Sequence, residues 1–217
     1  MKINSNEIKG IIFDLDGTLF DSCDMWHQID VEFFKKRNLE FPSDYSEAIA
    51  HLGLKKAASY TKNRFNLIET EEELIKEWND GAIYQYTHNV LLKPFVKKFL
   101  DKVKNEGIKL SVATANSSEY YMPCLKRNAI LDYFDIIHDV SKTKEGKDNP
   151  EIYMYIANEF GFKPSEMVVF EDIPMALSTA KKAGFNTVAV DDVSEAKYIN
   201  EKKKLSDIFI KSFEELL

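Results

Sequence analysis

Residues 13–19 read Phe13-Asp14-Leu15-Asp16-Gly17-Thr18-Leu19, and the rest of the chain is best interpreted outward from them. A mostly apolar run at 8–13 precedes the first carboxylate and predicts a short buried strand. Two carboxylates then follow where that strand would still be half-buried. Because an unpaired buried charge is unfavourable, a cation, a partner or a proton must neutralise them. An ordinary Asp-Gly turn at a strand end is the alternative interpretation.

The composition is that of an ordinary globular protein. The 217 residues are 44% hydrophobic and 30% charged, values that argue against a disordered chain. The net charge of −7 and the lack of a long basic run argue against nucleic-acid binding. Residues 1–9 lack the apolar core of a signal peptide, and no apolar run approaches membrane-spanning length. We therefore expect neither a nucleic acid nor a membrane as a partner.

The cysteines and histidines point away from disulfides and zinc. Cys23 and Cys124 are the only cysteines and are far apart, which predicts reduced thiols and a cytoplasmic location. The four histidines show neither the HxxxH nor the HExxH spacing of zinc sites. The acidic surface is compatible with a monomer, which we expect, although the sequence does not decide the oligomeric state.

Two regions of the chain follow different patterns. Residues 20–88 show helical periodicity without a convincing strand, and Ser22 is the predicted N-cap of the first helix. After residue 92, strands alternate with helices, as in a parallel sheet. The first crossover spans about 95 residues, whereas a crossover helix needs only a dozen or more. The expected fold is α/β, a Rossmann-like parallel-sheet core (residues 1–18 and 92–217) with an inserted helical cap domain (residues 19–91).

Polar side chains follow several strands of the predicted sheet where each strand ends. In open α/β sheets ligands bind at the carboxyl ends of the strands, so these side chains should converge. Carboxylates are hard oxygen ligands for Mg²⁺, and a hydroxyl or an ammonium group suits phosphate oxygens. The sequence therefore predicts a magnesium-phosphate site. Its members, in chain order, are Asp14, Asp16, Thr114, Asn116, Lys147, Glu171 and Asp172.

Four stretches resemble the four motifs of the haloacid-dehalogenase-like superfamily. They are Asp14 to Leu19, the strand end at Thr114, Gly146 to Tyr153, and Phe170-Glu171-Asp172. They occur in the order of that superfamily, and the resemblance covers essentially the whole chain. The helical insertion resembles the small cap of the subfamily with phosphoglycolate-phosphatase-like and β-phosphoglucomutase-like enzymes.

The resemblance implies a role for each residue. Asp14 would be the nucleophile, and Asp16 would be the general acid and then the general base. Thr114, Asn116 and Lys147 would contact the phosphate. The implied ligands of Mg²⁺ are Asp14, Asp172 with help from Glu171, and the backbone carbonyl of Asp16.

The third and fourth motifs depart from the family pattern. Asp148 stands where the family usually has proline, so an acidic neighbour could draw Lys147 away, and Lys142 or Lys144 could replace it. Ile173 stands where a serine is frequent. In the alternative interpretation, Asp172 only caps the next helix and Glu171 is a solvated loop residue.

The second aspartate distinguishes subclasses of the superfamily. Dehalogenases lack Asp16, since a leaving halide needs no proton. We therefore expect a phosphatase of small phosphorylated metabolites, with sugar or polyol phosphates favoured. The alternatives are a β-phosphoglucomutase-like sugar phosphomutase and a catalytically quiet protein that binds a phosphorylated ligand or a partner.

Specificity is expected to come from the cap. Mutase-like members usually carry a histidine where Trp26 aligns, and His27 faces another side of the helix because one residue is about 100° of turn. Trp26 is expected to pack in the core rather than touch substrate, and Lys55 to lie on the solvated surface. Trp26, His27 and Lys55 are the candidates for substrate contact.

Overall fold

The chain divides into two compact units. The computed structural model describes residues 2–3, 6–49, 52–142 and 146–217. The first unit comprises Met1–Cys23 and Val90–Leu217, and the second comprises Asp24–Asn89. The second unit is shorter at both ends than the segment 19–91 expected from the sequence. The difference arises because Phe20–Asp21 and Leu91–Leu92 pair as an antiparallel ribbon within the first unit.

The strands of the described residues all belong to the first unit. In chain order they are β1 (Lys2–Ile3), β2 (Asn6–Glu7), β3 (Gly10–Phe13), β4 (Phe20–Asp21), β5 (Leu91–Leu92), β6 (Lys109–Thr114), β7 (Ile136–Asp139), β8 (Met167–Glu171), β9 (Asn186–Val190) and β10 (Ile208–Ile210). Six of them form a sheet in the order β10-β9-β8-β3-β6-β7, and every neighbouring pair in it is parallel. The predicted α/β class and parallel sheet are confirmed.

Helices complete both units. In chain order they are α1 (Met25–Lys36), α2 (Tyr45–Ile49), α3 (Leu54–Phe65), α4 (Glu71–His88), α5 (Val96–Asn105), α6 (Ser118–Arg127), α7 (Glu151–Phe160), α8 (Pro174–Lys182) and α9 (Ile199–Leu205). Short 3₁₀ turns lie at Leu131–Tyr133, Val140–Lys142, Pro164–Glu166, Val193–Tyr198 and Phe213–Leu216. None of the helices in the described ranges is both long and apolar enough to cross a membrane.

The central strands are buried on both faces. All described residues of β3, β8 and β9 are buried, because helices cover both sides of a doubly wound sheet. On one face, Ile12 and Val169 pack with Tyr153 of α7 in a single apolar cluster. On the other face, alternation along the strands brings Phe13 and Phe170 together, with ring centroids 5.0 Å apart. Packing on both faces holds the strands, and therefore the positions of their carboxyl ends, in place.

The sheet register places the polar strand ends side by side. Phe13 of β3 pairs with Val112 of β6 and with Phe170 of β8. The backbone N–H of Asp14 donates to the carbonyl of Phe170 at 3.0 Å, so the pairing extends to the first carboxylate. The carboxyl ends of these three strands therefore form one edge, as the sequence predicted.

The helical unit has its own aromatic core. Phe34 contacts Tyr45 and Phe65 edge to face, each at 4.8 Å between ring centroids. Helix α4 runs unbroken through Gly81, where an added Cβ would lie 3.3 Å from a methyl carbon of Ile29 in α1. The glycine therefore permits close packing of α1 against α4. A capping box, formed by Thr70 and Glu73, is present at the N-terminus of α4.

The predicted cap of α1 is wrong. The residue that precedes α1 is Asp24, and Ser22 instead donates its hydroxyl to Asp16 Oδ1 at 2.9 Å. Strand β4 was not expected from the sequence. It begins two residues before Ser22, at the start of the region 20–88, in which no strand was expected.

Asp30 gives the helical unit a pH dependence that can be tested. Its carboxyl group is buried in α1, and burial raises its pKa from the ordinary 3.8 to about 6, while the nearby His27 acts in the opposite direction. The folded protein therefore holds this proton more tightly than the unfolded chain does. It follows that the contribution of Asp30 to stability falls as the pH rises from about 4 to about 6.

We expect Asp30→Asn to raise the free energy of unfolding at neutral pH by on the order of 1–2 kcal/mol, because the buried charge is removed. At about pH 4, where the folded protein holds Asp30 protonated, we expect no gain. Thermal unfolding followed by circular dichroism across this pH range would measure it. Glu32→Gln, which changes an exposed carboxylate of the same helix, is the matched control. A variant whose melting temperature follows that of the wild type at every pH would contradict the prediction.

Candidate active site

Asp14 lies at the centre of a buried charge cluster at the carboxyl edge of the sheet. It follows β3 directly, its side chain is buried, and Lys147 Nζ donates to its Oδ1. The same Lys147 ammonium group donates to Glu171 Oε1 at 2.6 Å, and Tyr153 donates its hydroxyl to that oxygen at 3.4 Å. Lys147 therefore bridges carboxylates that arrive from two adjacent strands.

The cluster has more negative than positive charge. One carboxylate oxygen each of Asp14, Glu171 and Asp172 lie within 4.8 Å of one another, and all three residues are buried. Within this group of residues only Lys147 carries a positive charge. Three carboxylates around one ammonium group leave an excess that is unfavourable out of water unless a cation or protons offset it.

Burial and the neighbouring charges shift the pKa values of this cluster. Burial raises the pKa of Asp172 to about 9, with a further rise from Glu171 and Asp14. Burial also raises the pKa of Glu171 to about 7, although Lys147 acts against the rise. For Lys147 itself burial lowers the pKa, but the two adjacent carboxylates outweigh it, so its pKa lies well above the ordinary value. The oxygen-rich donor set fits a hard divalent cation such as Mg²⁺.

The turn after β3 is built against Asp172. Gly17 has φ +76°, and a Cβ added there would lie 2.8 Å from Asp172 Cγ. Thr18, fully buried, donates its hydroxyl to Asp172 Oδ1 at 3.2 Å. The first and fourth motifs are thus in direct contact. No role of Thr18 or Tyr153 was expected from the sequence, because the local pattern does not distinguish either residue from ordinary core residues.

Glu171 organises the backbone at the start of α8. Its Oε2 accepts the N–H of Asp172 at 3.1 Å and that of Ile173 at 3.3 Å. Glu171 is fully buried, and the residue that precedes α8 is Ile173, with no side-chain cap. The interpretations of Glu171 as a solvated loop residue and of Asp172 as a helix cap are therefore wrong.

Lys147 is in contact with the cluster despite its acidic neighbour. Asp148 is exposed, whereas the ammonium group of Lys147 lies between Asp14 and Glu171. Of the two replacements considered from the sequence, Lys144 and the side chain of Lys142 lie outside the described residues.

Thr114 is the last residue of β6, and Asn116 lies in the turn that follows it. Thr114 is buried, and its hydroxyl oxygen accepts the backbone N–H of Asn116 at 3.0 Å. The side-chain amide of Asn116 donates to Asp16 Oδ2 at 2.9 Å, and Ser22 donates to the other oxygen. The expected phosphate-side residue Asn116 thus touches the second aspartate.

The candidates in the helical unit are found on its surface. Trp26 is 43% exposed, so the expectation that it packs in the core is wrong. His27 is also exposed, with its ring edge to face against Phe41 at 5.2 Å between centroids. Lys55 is exposed, as expected.

Gly17 offers a direct test of how the first motif positions Asp172. We expect Gly17→Ala to displace the Asp172 carboxylate, since the new methyl group has no room beside it. Binding of Mg²⁺, the metal that the family resemblance implies, should weaken by tenfold or more. Isothermal titration calorimetry would measure the affinity.

Gly107→Ala is the matched control for backbone strain. Gly107 has almost the same positive φ, +75°, but nothing lies within 4 Å of an added Cβ. Both variants should lose similar stability from the left-handed backbone, while only Gly17→Ala should lose metal affinity. Equal metal affinity in the two variants would refute the positioning of Asp172 by Gly17.

Known proteins share both the sequence pattern and the fold. The family model described as haloacid dehalogenase-like hydrolase matches residues 11–190. The chain is 30% identical to beta-phosphoglucomutase of Bacillus subtilis over 84% of this chain and 83% of that protein. It is 24% identical to a phosphorylated carbohydrates phosphatase of Thermotoga maritima over 83% and 84% of the two chains.

The fold comparison agrees with these matches. A hydrolase of this superfamily, subfamily IA, from Geobacter sulfurreducens superposes with a TM-score of 0.75 at 18% identity, and the match covers 100% of this chain and 98% of that one. The expected family and the expectation of a hydrolase are both confirmed. With a matching family model over most of its length and a relative at 30% identity, the chain belongs to the haloacid dehalogenase-like hydrolases.

Proposed function

We propose that this protein is a magnesium-dependent phosphatase of small phosphorylated metabolites. The observation that carries the proposal is the buried group of Asp14, Glu171 and Asp172 around the single ammonium group of Lys147. An acidic protein needs local positive charge to attract a phosphate, and this cluster supplies one lysine and a donor set for a metal cation. The expected roles of Asp14, Asp16, Thr114, Lys147, Glu171 and Asp172 form part of the proposal, and the role of Asn116 is taken up in the next subsection.

Asp14 is the proposed nucleophile. Its carboxylate oxygen attacks phosphorus, the bond from phosphorus to the leaving oxygen breaks, and an aspartyl-phosphate forms on the chain. The contact with Lys147 holds the carboxylate in place and offsets its charge as the phosphate approaches. The buried hydroxyl of Thr114 is the proposed donor to the phosphoryl oxygens.

Asp16 is the proposed acid and base. It gives a proton to the leaving oxygen in the first step, so that an alcohol departs. In the second step it takes a proton from the water that attacks the aspartyl-phosphate, which releases inorganic phosphate and restores both aspartates. A carboxyl group two residues after the nucleophile suits this chemistry, whereas a leaving halide would need no acid.

The donor set also suggests how a metal would be held. Asp14, Asp172 and the backbone carbonyl of Asp16 are the proposed ligands of Mg²⁺, with Glu171 in support. When bound, the ion supplies positive charge that offsets repulsion between the carboxylates and the phosphate.

The name of one relative supports the proposed substrate class. The Thermotoga maritima relative is named for phosphorylated carbohydrates, which favours sugar or polyol phosphates as substrates here. The helical unit is the proposed cap that selects the leaving group. Its exposed side chains Trp26, His27 and Lys55 are the proposed contacts.

A sugar phosphomutase is the second candidate, favoured by the identity to beta-phosphoglucomutase. Both activities need Asp16, and they differ in whether water or a sugar hydroxyl takes the phosphoryl group. Mutase-like members usually carry a histidine where this chain has Trp26, an exposed indole without a basic nitrogen. That difference supports hydrolysis over transfer to a sugar.

The first test is release of inorganic phosphate from a panel of phosphorylated metabolites, with and without Mg²⁺. We expect hydrolysis to require the metal and Asp14→Asn to lower kcat/KM by about three orders of magnitude or more, because the amide cannot replace the nucleophile. Asp132→Asn, an exposed carboxylate in the turn before β7, is the matched control and should leave the rate unchanged.

Two other outcomes would support the alternatives. Interconversion of sugar phosphate isomers without phosphate release, followed by phosphorus NMR, would favour the mutase. Neither reaction in a folded, magnesium-bound protein would favour a quiet binder, as would a biological effect that survives Asp14→Asn.

A further inference from the structure

We propose that Asn116 is a positioning residue that acts through Asp16 rather than a ligand of the phosphate. The proposal rests on the function proposed above. It concerns three residues of the first unit: Asp16 after β3, Asn116 after β6, and Ser22 after β4. Their side chains meet around one carboxylate.

The orientation of the Asn116 amide is fixed by its neighbours. Its Oδ1 accepts the backbone N–H of Ser117 at 2.8 Å, and a backbone N–H can only donate. The atom that faces Asp16 Oδ2 at 2.9 Å is therefore the Nδ2 amino group, a pure donor. The turn that follows β6 thus aims an N–H at the second aspartate.

Ser22 and Asn116 contact different oxygens of the Asp16 carboxyl group. Nδ2 of Asn116 donates to Oδ2 at 2.9 Å, and the Ser22 hydroxyl lies 2.9 Å from Oδ1. One contact on each oxygen, from two separate turns of the chain, restricts rotation of the carboxyl group. Asn116 therefore orients Asp16.

The two possible roles of Asn116, positioning of Asp16 and binding of the phosphate, predict different effects on alkyl and aryl phosphates. An acid helps most when the leaving oxygen is strongly basic, and it helps little when the leaving group is stable as an anion. Loss of a residue that orients the acid should therefore slow alkyl phosphates much more than aryl phosphates. Loss of a phosphate ligand should slow both and weaken inhibition by inorganic phosphate.

The test compares Asn116→Ala with wild type on glycerol phosphate and on para-nitrophenyl phosphate. We use kcat/KM, which reports the steps up to the first irreversible one and so excludes the later hydrolysis of the aspartyl-phosphate. We expect a loss of about 10- to 100-fold on the alkyl substrate and less than about threefold on the aryl substrate. The inhibition constant of inorganic phosphate should change by less than about threefold. Ser118→Ala, an exposed polar residue at the start of α6, is the control.

A double-mutant cycle shows whether Asn116 acts through Asp16 or independently of it. In the Asp16→Ala background, adding Asn116→Ala should change neither substrate's kcat/KM further, since the group that Asn116 orients is gone. Circular dichroism and the melting temperature of each variant show that the fold is retained.

Several results would overturn the inference. Equal losses on both substrates with weaker phosphate inhibition would make Asn116 a phosphate ligand. No loss on either substrate, or a full additional loss in the Asp16→Ala background, would also refute it. Wild-type protein inactive on both substrates and on the wider panel would instead refute the proposed phosphatase, and this inference with it.

Discussion

The structure depends on how three buried carboxylates are held around one lysine. Asp14, Glu171 and Asp172 come from two adjacent strands, and Lys147 reaches both. Burying like charges is costly, so the surrounding backbone must hold them in place. The parallel pairing of β3 with β8, and the apolar layers on both faces of that pair, supply this rigidity. Apolar packing in the core offsets the unfavourable free energy of burying these carboxylates at the sheet edge.

Much of this was predictable because it depends on local patterns. Strand ends are marked by a change from apolar to polar residues, and the edge at which they meet follows from parallel topology. Asp14, Lys147, Glu171 and Asp172 could therefore be expected together before their contacts were known. The helices were predictable for the same reason, since α3 and α4 carry a clear apolar period and α4 has a capping box.

The remaining contacts were not predictable because no local pattern marks the side chains that make them. Thr18 meets Asp172 across 154 residues, and Ser22 turns toward Asp16 instead of the helix that follows it. A serine before a helical run is a good cap by propensity, but a buried carboxylate nearby competes for the same hydroxyl. Trp26 was misjudged because an aromatic residue on an amphipathic helix is usually core, and local sequence does not reveal which face is covered.

The ribbon formed by β4 and β5 bears on how proteins with this fold can evolve. Phe20 pairs with Leu92 and Asp21 with Leu91, so the chain departs from the first unit and comes back to it at neighbouring points. A segment whose two ends already touch can be exchanged for another of different length without changing the sheet, because the closure of the loop is set by the ribbon and not by what lies beyond it. With the helical unit as the proposed cap, selectivity and chemistry can then diverge at different rates, because the segment that selects the leaving group changes while the residues at the sheet edge stay the same.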